Sequence, residues 1–94
     1  MPRLAARVDR NQPEIVDALR KAGYSVLHLH RLGHGVPDLL VGWGDDFSIL
    51  VEIKSEEGEL TPDEERFISE WRGPIVVVHS VGEALDAIQK NAVR

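Results

Sequence analysis

The 94-residue chain contains no cysteine, which excludes disulfides and thiolate metal sites and suits a reducing cytoplasm. It also lacks long apolar stretches. The longest aliphatic runs are 39–41, 49–51 and 75–78, far short of the ~20 residues that a membrane helix needs. The N-terminus has no basic segment followed by an apolar one, so we expect no signal peptide. A chain of this length suits one domain.

Positive charge is in deficit, with a net charge of -5, which argues mildly against nucleic acid as a partner. The deficit is local, however. Residues 1–43 carry six Lys or Arg against four acids, and residues 44–73 carry three against ten. The basic N-terminal half could follow a phosphate backbone, and part of the acidic charge could hold divalent cations. For residues 56–65 we favour a solvated acidic surface.

Hydrophobic spacing and turn residues predict the element order α-β-β-β-α-β-α, with residues 1–10 as a basic arm and 11–94 as one domain. A helix capped by Asn11 or Gln12 should end at Gly23. Capping boxes at Thr61–Glu64 and Ser80–Glu83 should open two more helices. Strands are expected at 24–31, 38–43, 48–54 and 75–78, the second and third forming a hairpin. These features indicate an α/β domain with a central mixed sheet flanked by helices.

The third predicted strand carries the chemistry. Its alternation directs Ile49, Val51 and Ile53 to one face and Leu50, Glu52 and Lys54 to the other. Asp38 begins the adjoining strand, so it can lie near Glu52 across the hairpin. Two carboxylates suit Mg²⁺ or Mn²⁺, which promote phosphodiester hydrolysis, and a lysine beside them can assist the attacking water.

Simpler interpretations exist for each residue alone. Glu52 and Lys54 could form an exposed ion pair worth at most ~1 kcal/mol, and an Asp after Pro is often a turn residue. His28 and His30 share a predicted strand face but lack a third zinc ligand, so we favour solvated or phosphate-contacting histidines. Trp43 and Trp71 are interpreted as core or interface residues, and Phe67, Ile68 and Trp71 as the apolar stripe of their helix.

The combination is more specific than its parts. Pro37-Asp38, thirteen residues, then Glu52-Ile53-Lys54 resembles the PD-(D/E)XK nuclease signature. The wider sequence resembles the VRR-NUC branch of that superfamily, in particular the short stand-alone members common in bacteriophages. The matching segments are NQPEIV (11–16), GVPDLLVG (35–42), VEIK (51–54), LTP (60–62) and WRG (71–73). The resemblance spans nearly all of residues 9–88 and implies a restriction-endonuclease-like core.

The resemblance also implies a site. Asp38 and Glu52 would be metal ligands, the backbone carbonyl of Ile53 a further ligand, and Lys54 the catalytic lysine. Glu14 matches a metal-binding glutamate on the first helix, although the helix dipole alone favours an acid there. Candidates for substrate contacts are Gln12, His34, Ser55 and Glu64.

Two features depart from the family pattern. Relatives often carry a glutamine where this chain has Glu64, so Glu64 either takes over a role in placing substrate or the lysine, or is only the capping-box residue, which we favour. The loop 55–59 is short for the family, which would alter substrate fit.

By this resemblance the chain would be a Mg²⁺- or Mn²⁺-dependent DNA endonuclease that leaves a 5′-phosphate and a 3′-hydroxyl. It would be structure-selective, like a Holliday-junction resolvase, and a homodimer, because two symmetric cuts need two active sites. We expect it in the cytoplasm of a bacterial cell, encoded either by the bacterium or by a phage, with no membrane partner. Two alternatives stay open: a nuclease on flaps, DNA ends or RNA, and a non-cleaving DNA-binding module. The intact Asp38, Glu52 and Lys54 count against the second.

Overall fold

The computed structural model describes residues 11–92, so the predicted arm 1–10 lies outside the described residues. This part of the chain is a mixed α/β fold, and its element order is the predicted one. The elements are α1 (Gln12–Lys21), β1 (Ser25–His28), a 3₁₀ turn (His30–Leu32), β2 (Leu39–Trp43), β3 (Phe47–Ile53), α2 (Pro62–Glu70), β4 (Ile75–Val78) and α3 (Val81–Ala92). None of the described helices is long and apolar enough to cross a membrane.

The four strands form one mixed sheet in the order β1-β2-β3-β4. The pairs β1–β2 and β2–β3 are antiparallel, whereas β3–β4 is parallel. The predicted hairpin of β2 and β3 is confirmed, with Leu39 opposite Val51 and Trp43 opposite Phe47. Gly44 sits in the connecting turn at φ +73°, a conformation that favours glycine.

The hydrophobic core lies on one face of this sheet, beneath α1 and α3. The alternate residues of β3 that face it are joined by side chains from the neighbouring strands and from both helices, all buried: Ile15, Leu19, Leu39, Val41, Ile49, Val51, Ile53, Val78 and Ile88. Leu85 packs against the edge of this cluster. The helical and strand periodicities therefore predicted the core face correctly.

The first strand is shorter than the predicted 24–31. It ends at His28 because Leu29 adopts φ -118° and ψ 1°, which turns the chain out of the extended conformation. The Leu29 amide still donates to the carbonyl of Asp38 at 2.8 Å, while its own carbonyl accepts from Leu32 at 2.9 Å and closes the 3₁₀ turn. The sequence had suggested that His28 and His30 share one strand face. They do not, because His28 ends β1 and His30 lies in the 3₁₀ turn.

The helix caps follow the predictions in part. Thr61 and Glu64 form the expected capping box of α2, and Gly23 follows α1 at φ +99°. Asn11 makes no cap hydrogen bond and instead donates to the carbonyl of His79 at 3.0 Å. At α3, Ser80 accepts from the Glu83 amide as predicted, but the Glu83 carboxylate accepts from the His79 amide.

Both tryptophans are more exposed than a core role requires. Trp43 sits at the hairpin end with 48% of its surface exposed, and Trp71 follows α2 with 46% exposed. Trp71 stacks on Phe67 at a ring separation of 5.4 Å. The core interpretation of these residues is therefore wrong, whereas the interface alternative stays a prediction.

Candidate active site

The candidate catalytic residues meet at one end of the sheet, on the face opposite the core. Glu52 lies within β3, and Lys54 is the first residue after this strand. Continuing the β2–β3 register by one residue places Asp38 opposite Glu52. The Ile53 amide donates to Asp38 Oδ2 at 2.8 Å, which holds the Asp38 carboxylate against the end of β3. The geometry thus brings together the three residues singled out from the sequence.

Glu52 is the unusual member of this group, because only 3% of its surface is exposed. Burial is the main reason that its pKa rises from 4.5 to about 9; the neighbouring carboxylates of Asp38 and Glu64 raise it further, and the Lys54 ammonium opposes them. Glu52 is therefore protonated near neutral pH and shares a hydrogen bond with Glu64. An exposed surface ion pair, the simplest interpretation of Glu52 and Lys54, does not describe this arrangement.

Lys54 lies between two carboxyl groups. Its Nζ is 2.8 Å from Glu64 Oε1 and 3.7 Å from Glu52 Oε2, and its side chain is only 16% exposed. A lysine held on both sides loses most of its rotamer freedom. Its ammonium is therefore fixed beside the carboxyl groups of the site.

Glu64 combines the two roles that the sequence left open. Its Oε1 accepts from the Thr61 amide at 2.9 Å, completing the capping box of α2, and the same atom binds Lys54. Burial on its own raises the pKa of Glu64, but the hydrogen bonds from Lys54 and Thr61 and the charge of Lys54 outweigh it and hold the pKa below its ordinary value. Glu64 is therefore both cap and anchor of the lysine.

The loop before Asp38 packs tightly against the start of α2. Gly35 has φ +81°, and a Cβ there would overlap the backbone of Asp63 and lie 2.9 Å from the Glu64 amide. Only glycine fits this contact. The loop therefore sets the position of Glu64 relative to Asp38.

Pro37 affects the hydrogen bonding of the Ile53 carbonyl at this end of the sheet. Two residues beyond the Leu39–Val51 pair, the register puts Pro37 opposite Ile53. In an antiparallel ladder the Ile53 carbonyl would accept from this position, but proline has no amide hydrogen. The Ile53 carbonyl, at the end of the sheet beside Asp38, therefore receives no ladder hydrogen bond from Pro37.

The remaining predicted residues are more scattered. Glu14 is exposed in the first turn of α1, and Ser55 and His34 are exposed in loops, His34 at φ +57°. Among residues 11–92, no group of three or more His, Cys, Asp or Glu side chains is arranged to hold a metal ion. The structure therefore does not draw Glu14 into such a group with Asp38 and Glu52, and its role as a ligand stays a prediction.

One contact near the site was missed by the sequence reasoning, and another had been only one of two alternatives. The Lys54–Glu64 bond joins residues ten positions apart in the chain, and it had been the less favoured alternative for Glu64. His79 follows β4, whose carboxyl end lies beside that of β3, and its Nδ1 is 2.9 Å from Glu83 Oε1. Residues after the carboxyl ends of parallel strands often line sites, which could have drawn attention to His79.

Comparisons with protein-family models, with curated proteins and with solved structures gave no match to this chain. The function proposed below therefore rests on the geometry of the site and on the sequence pattern Pro37-Asp38 with Glu52-Ile53-Lys54.

Proposed function

We propose that the chain is a Mg²⁺- or Mn²⁺-dependent DNA endonuclease with a restriction-endonuclease-like core. The observation that carries this proposal is the buried Glu52, placed with Asp38 and Lys54 on the face of β3 that the core does not use. A carboxyl buried beside two other acids destabilises the fold in its ionised form. Such an arrangement is typical of a functional site rather than of a structural one.

The donor set fits a small divalent cation. Asp38 offers a carboxylate oxygen, Glu52 would offer another once it gives up its proton to bind the cation, and the Ile53 carbonyl would add a neutral oxygen. Mg²⁺ is commonly held by one or two carboxylates and keeps several waters, so a third acidic ligand is not required. Burial is the main cause of the raised pKa of Glu52, and repulsion by Asp38 and Glu64 adds to it; a bound cation would oppose both effects. When bound, Mg²⁺ or Mn²⁺ supplies positive charge against the phosphate and acidifies a water molecule.

The side chains of this chain would then divide the remaining work. Lys54, fixed by Glu64, presents its ammonium next to the carboxyl groups, where it can orient the attacking water and offset negative charge in the transition state. Asp38, held by the Ile53 amide, keeps its orientation. In-line attack by water leaves a 5′-phosphate and a 3′-hydroxyl. Most of the catalysis is thus positioning and electrostatic stabilisation.

Three helix N-termini lie at this edge of the sheet. The first turn of α2 contacts Lys54 through Glu64, α3 begins just after β4, and Asn11 before α1 contacts His79. Helix N-termini carry partial positive charge and attract phosphates. The first turns of these helices also carry acids, however: Asp63, Glu64 and Glu65 on α2, Glu14 on α1 and Glu83 on α3. The proposed nucleic-acid substrate is therefore supported by the cation that the site would hold and by the sequence pattern, and not by the helix ends.

We further propose, from the family resemblance, that the enzyme is structure-selective and acts as a homodimer on four-way junctions. Flaps, DNA ends or RNA are the alternative substrates. A module that binds DNA without cutting it is disfavoured by the burial of Glu52, because binding alone does not require a destabilising carboxyl group.

The test is a cleavage assay with the purified full chain. Labelled four-way junction, flap, linear duplex, single-stranded DNA and single-stranded RNA would each be incubated with Mg²⁺, Mn²⁺ or EDTA. We expect metal-dependent cleavage, fastest on the branched DNA, and products that a ligase can rejoin. No cleavage of any substrate with either metal would exclude the nuclease, and equal cleavage of linear duplex and junction would exclude structure selectivity.

Sedimentation of the protein with and without the junction addresses the dimer. A monomer in both conditions, at the concentration that supports cleavage, would remove the argument from paired symmetric cuts. A dimer with two cuts per junction would support it.

A further inference from the structure

A groove of about 380 Å³ lies between α1 and the end of β1, and neither Asp38 nor Glu52 lines it. Gln12, Val16 and Arg20 line it from the helix, and His28 and His30 from the strand end. Its volume lies within the range of about 300–1,000 Å³ that is usual for small-ligand sites. The metal-based mechanism proposed above uses none of these residues.

Two buried polar atoms of residues that line the groove have no hydrogen-bond partner among residues 11–92. Gln12 is only 2% exposed; its amide nitrogen lies 3.4 Å from His28 Nδ1, but its buried Oε1 has no partner in the described part of the chain. The buried Nδ1 of His30 likewise has none there. Buried polar groups are nearly always satisfied in proteins. Both atoms are closed off from solvent here, so a ligand could bind them only after the side chains around them move.

The walls of the groove suit a flat aromatic ligand. The His28 and His30 rings meet edge to face at 5.9 Å. The Arg20 guanidinium is held by the Val26 carbonyl at 3.2 Å. Unpaired bases stack on histidine rings and on arginine planes, and amide side chains bind base edges. Arg20 and His28 are exposed and can move to admit a base, while Asp17 at the rim is already paired with Lys21 at 3.1 Å.

The groove lies at the same end of the sheet as the candidate active site, but on the face that α1 covers, opposite the carboxyl groups of Asp38 and Glu52. His28 pairs with Leu39, and the Leu29 amide donates to the carbonyl of Asp38 at 2.8 Å. The end of β1 is thus one strand from Asp38, about 4.8 Å in the spacing of neighbouring strands. A DNA strand that crosses the end of the sheet from the carboxylates reaches the groove within a short distance.

We propose that this groove binds an unpaired base of the substrate strand close to the cleaved phosphodiester. The inference rests on the proposed nuclease function for the identity of the substrate. It adds a criterion for selection: a base stacked in a duplex cannot enter the groove, so the preferred DNA carries an unpaired nucleotide at its branch.

Fluorescence anisotropy of labelled four-way junctions in EDTA tests this without cleavage. One junction carries a single unpaired adenine at the branch, and its twin carries an abasic residue at that position. We expect the wild-type protein to bind the adenine junction about tenfold more tightly, the effect of roughly one good base contact. Gln12→Met keeps the side-chain volume but removes the amide, and should abolish the difference. Gln89→Met, at an exposed position on α3, should preserve it.

A second pair of variants covers the case in which Gln12→Met does not fold. Arg20→Ala should narrow the difference between the junctions, whereas Lys21→Ala, its exposed neighbour, should lower both affinities equally if it has any effect. Equal binding of the two junctions by the wild-type protein would overturn the proposal. Displacement by free dAMP as efficient as by the unlabelled junction would overturn it too, because the groove would then be a site for free nucleotides.

Binding and cleavage are read separately. A base-independent affinity in EDTA refutes the groove alone, while a lack of cleavage in Mg²⁺ and Mn²⁺ refutes the nuclease alone.

Discussion

The two faces of β3 are buried in chemically different surroundings. Ile49, Val51 and Ile53 face the helices and are buried among apolar side chains. Glu52, on the other face, is almost as deeply buried but among charged groups, with Lys54 and Glu64 in contact. The first arrangement stabilises the fold, and the second costs stability. The comparison indicates that one strand supplies both the core and the candidate site, and that substitutions on its two faces should separate stability from activity.

The largest expected effect comes from Lys54. Lys54→Ala should lower the cleavage rate by about 10²–10⁴-fold, since the positioned ammonium is lost. Lys90→Ala is the matched control, because Lys90 forms an exposed ion pair with Asp86 at 3.2 Å. Single-turnover cleavage of a junction measures both, with binding checked in EDTA. Full activity of folded Lys54→Ala would refute its role.

On the opposite face, Ile49→Ala should lower the free energy of unfolding by about 2–5 kcal/mol, because it opens a cavity in the core. Ile49→Val should cost only about 0.5–1.5 kcal/mol. Urea unfolding followed by circular dichroism measures both. The cleavage rate per folded molecule should not change, and a rate that falls as far as in Lys54→Ala would show that the two faces are not separable.

Glu52→Gln should affect activity and stability in opposite directions. It should abolish metal-dependent cleavage and raise the free energy of unfolding. The pKa of Glu52 is about 9 when folded, above the ordinary 4.5, so its burial costs little below pH 4.5 and costs progressively more as the pH rises towards 9. The variant should therefore gain roughly 1–4 kcal/mol at about pH 8 and little at about pH 5. Unfolding in urea with EDTA at both pH values measures the gain. A gain that is equal at both would contradict the raised pKa.

Gly35→Ala tests how the loop that precedes Asp38 packs against the first turn of α2, which carries Glu64. Both Gly33 and Gly35 have positive φ, but a Cβ at Gly33 meets nothing within 4 Å, whereas at Gly35 it overlaps the Asp63 backbone. Each alanine should cost about 1–2 kcal/mol for its backbone conformation. Only Gly35→Ala should also slow cleavage, because the first turn of α2 must shift with Glu64. Equal cleavage rates for the two variants would show that this packing does not position the site.

The smallest effect separates two helix caps. Thr61→Ala and Ser80→Ala each remove one side-chain acceptor, from the Glu64 and Glu83 amides respectively, and each should cost about 0.5–2 kcal/mol. Thr61→Ala should in addition lower the cleavage rate modestly, because Glu64 holds Lys54. Thermal unfolding and cleavage of both variants provide the comparison, and an equal loss of rate in the two would argue against a link through Glu64.

Local signals in the sequence predicted much of the fold. The capping box at Thr61, the glycine after α1 and the alternation along β3 depend on neighbouring residues, so they could be read without the tertiary structure. Leu29 could not, because its turn depends on which backbone groups Asp38 and Leu32 present to it. The exposure of Trp43 and Trp71 likewise depends on how far the helices extend over the sheet.

The proximity of Asp38, Glu52 and Lys54 was predictable from the sequence, whereas the electrostatics of this group were not. The pattern around Asp38 and Glu52 indicated two neighbouring carboxylates. Two features depend on where α2 packs in the fold. One is how deeply Glu52 is buried, and the other is that Glu64 both caps α2 and binds Lys54. That position follows from the contact at Gly35, which joins residues far apart in the chain.

One oxygen atom, Glu64 Oε1, receives both the Thr61 amide and the Lys54 ammonium. The residue that completes the first turn of α2 is therefore the residue that immobilises the lysine. A chain emerging from the ribosome presents Asp38, Glu52 and Lys54 before it presents Glu64, so its lysine stays unanchored until the helix forms. An unfinished or frayed molecule would then be inert, and for a protein proposed to cut DNA this ties activity to completed folding without any separate inhibitor.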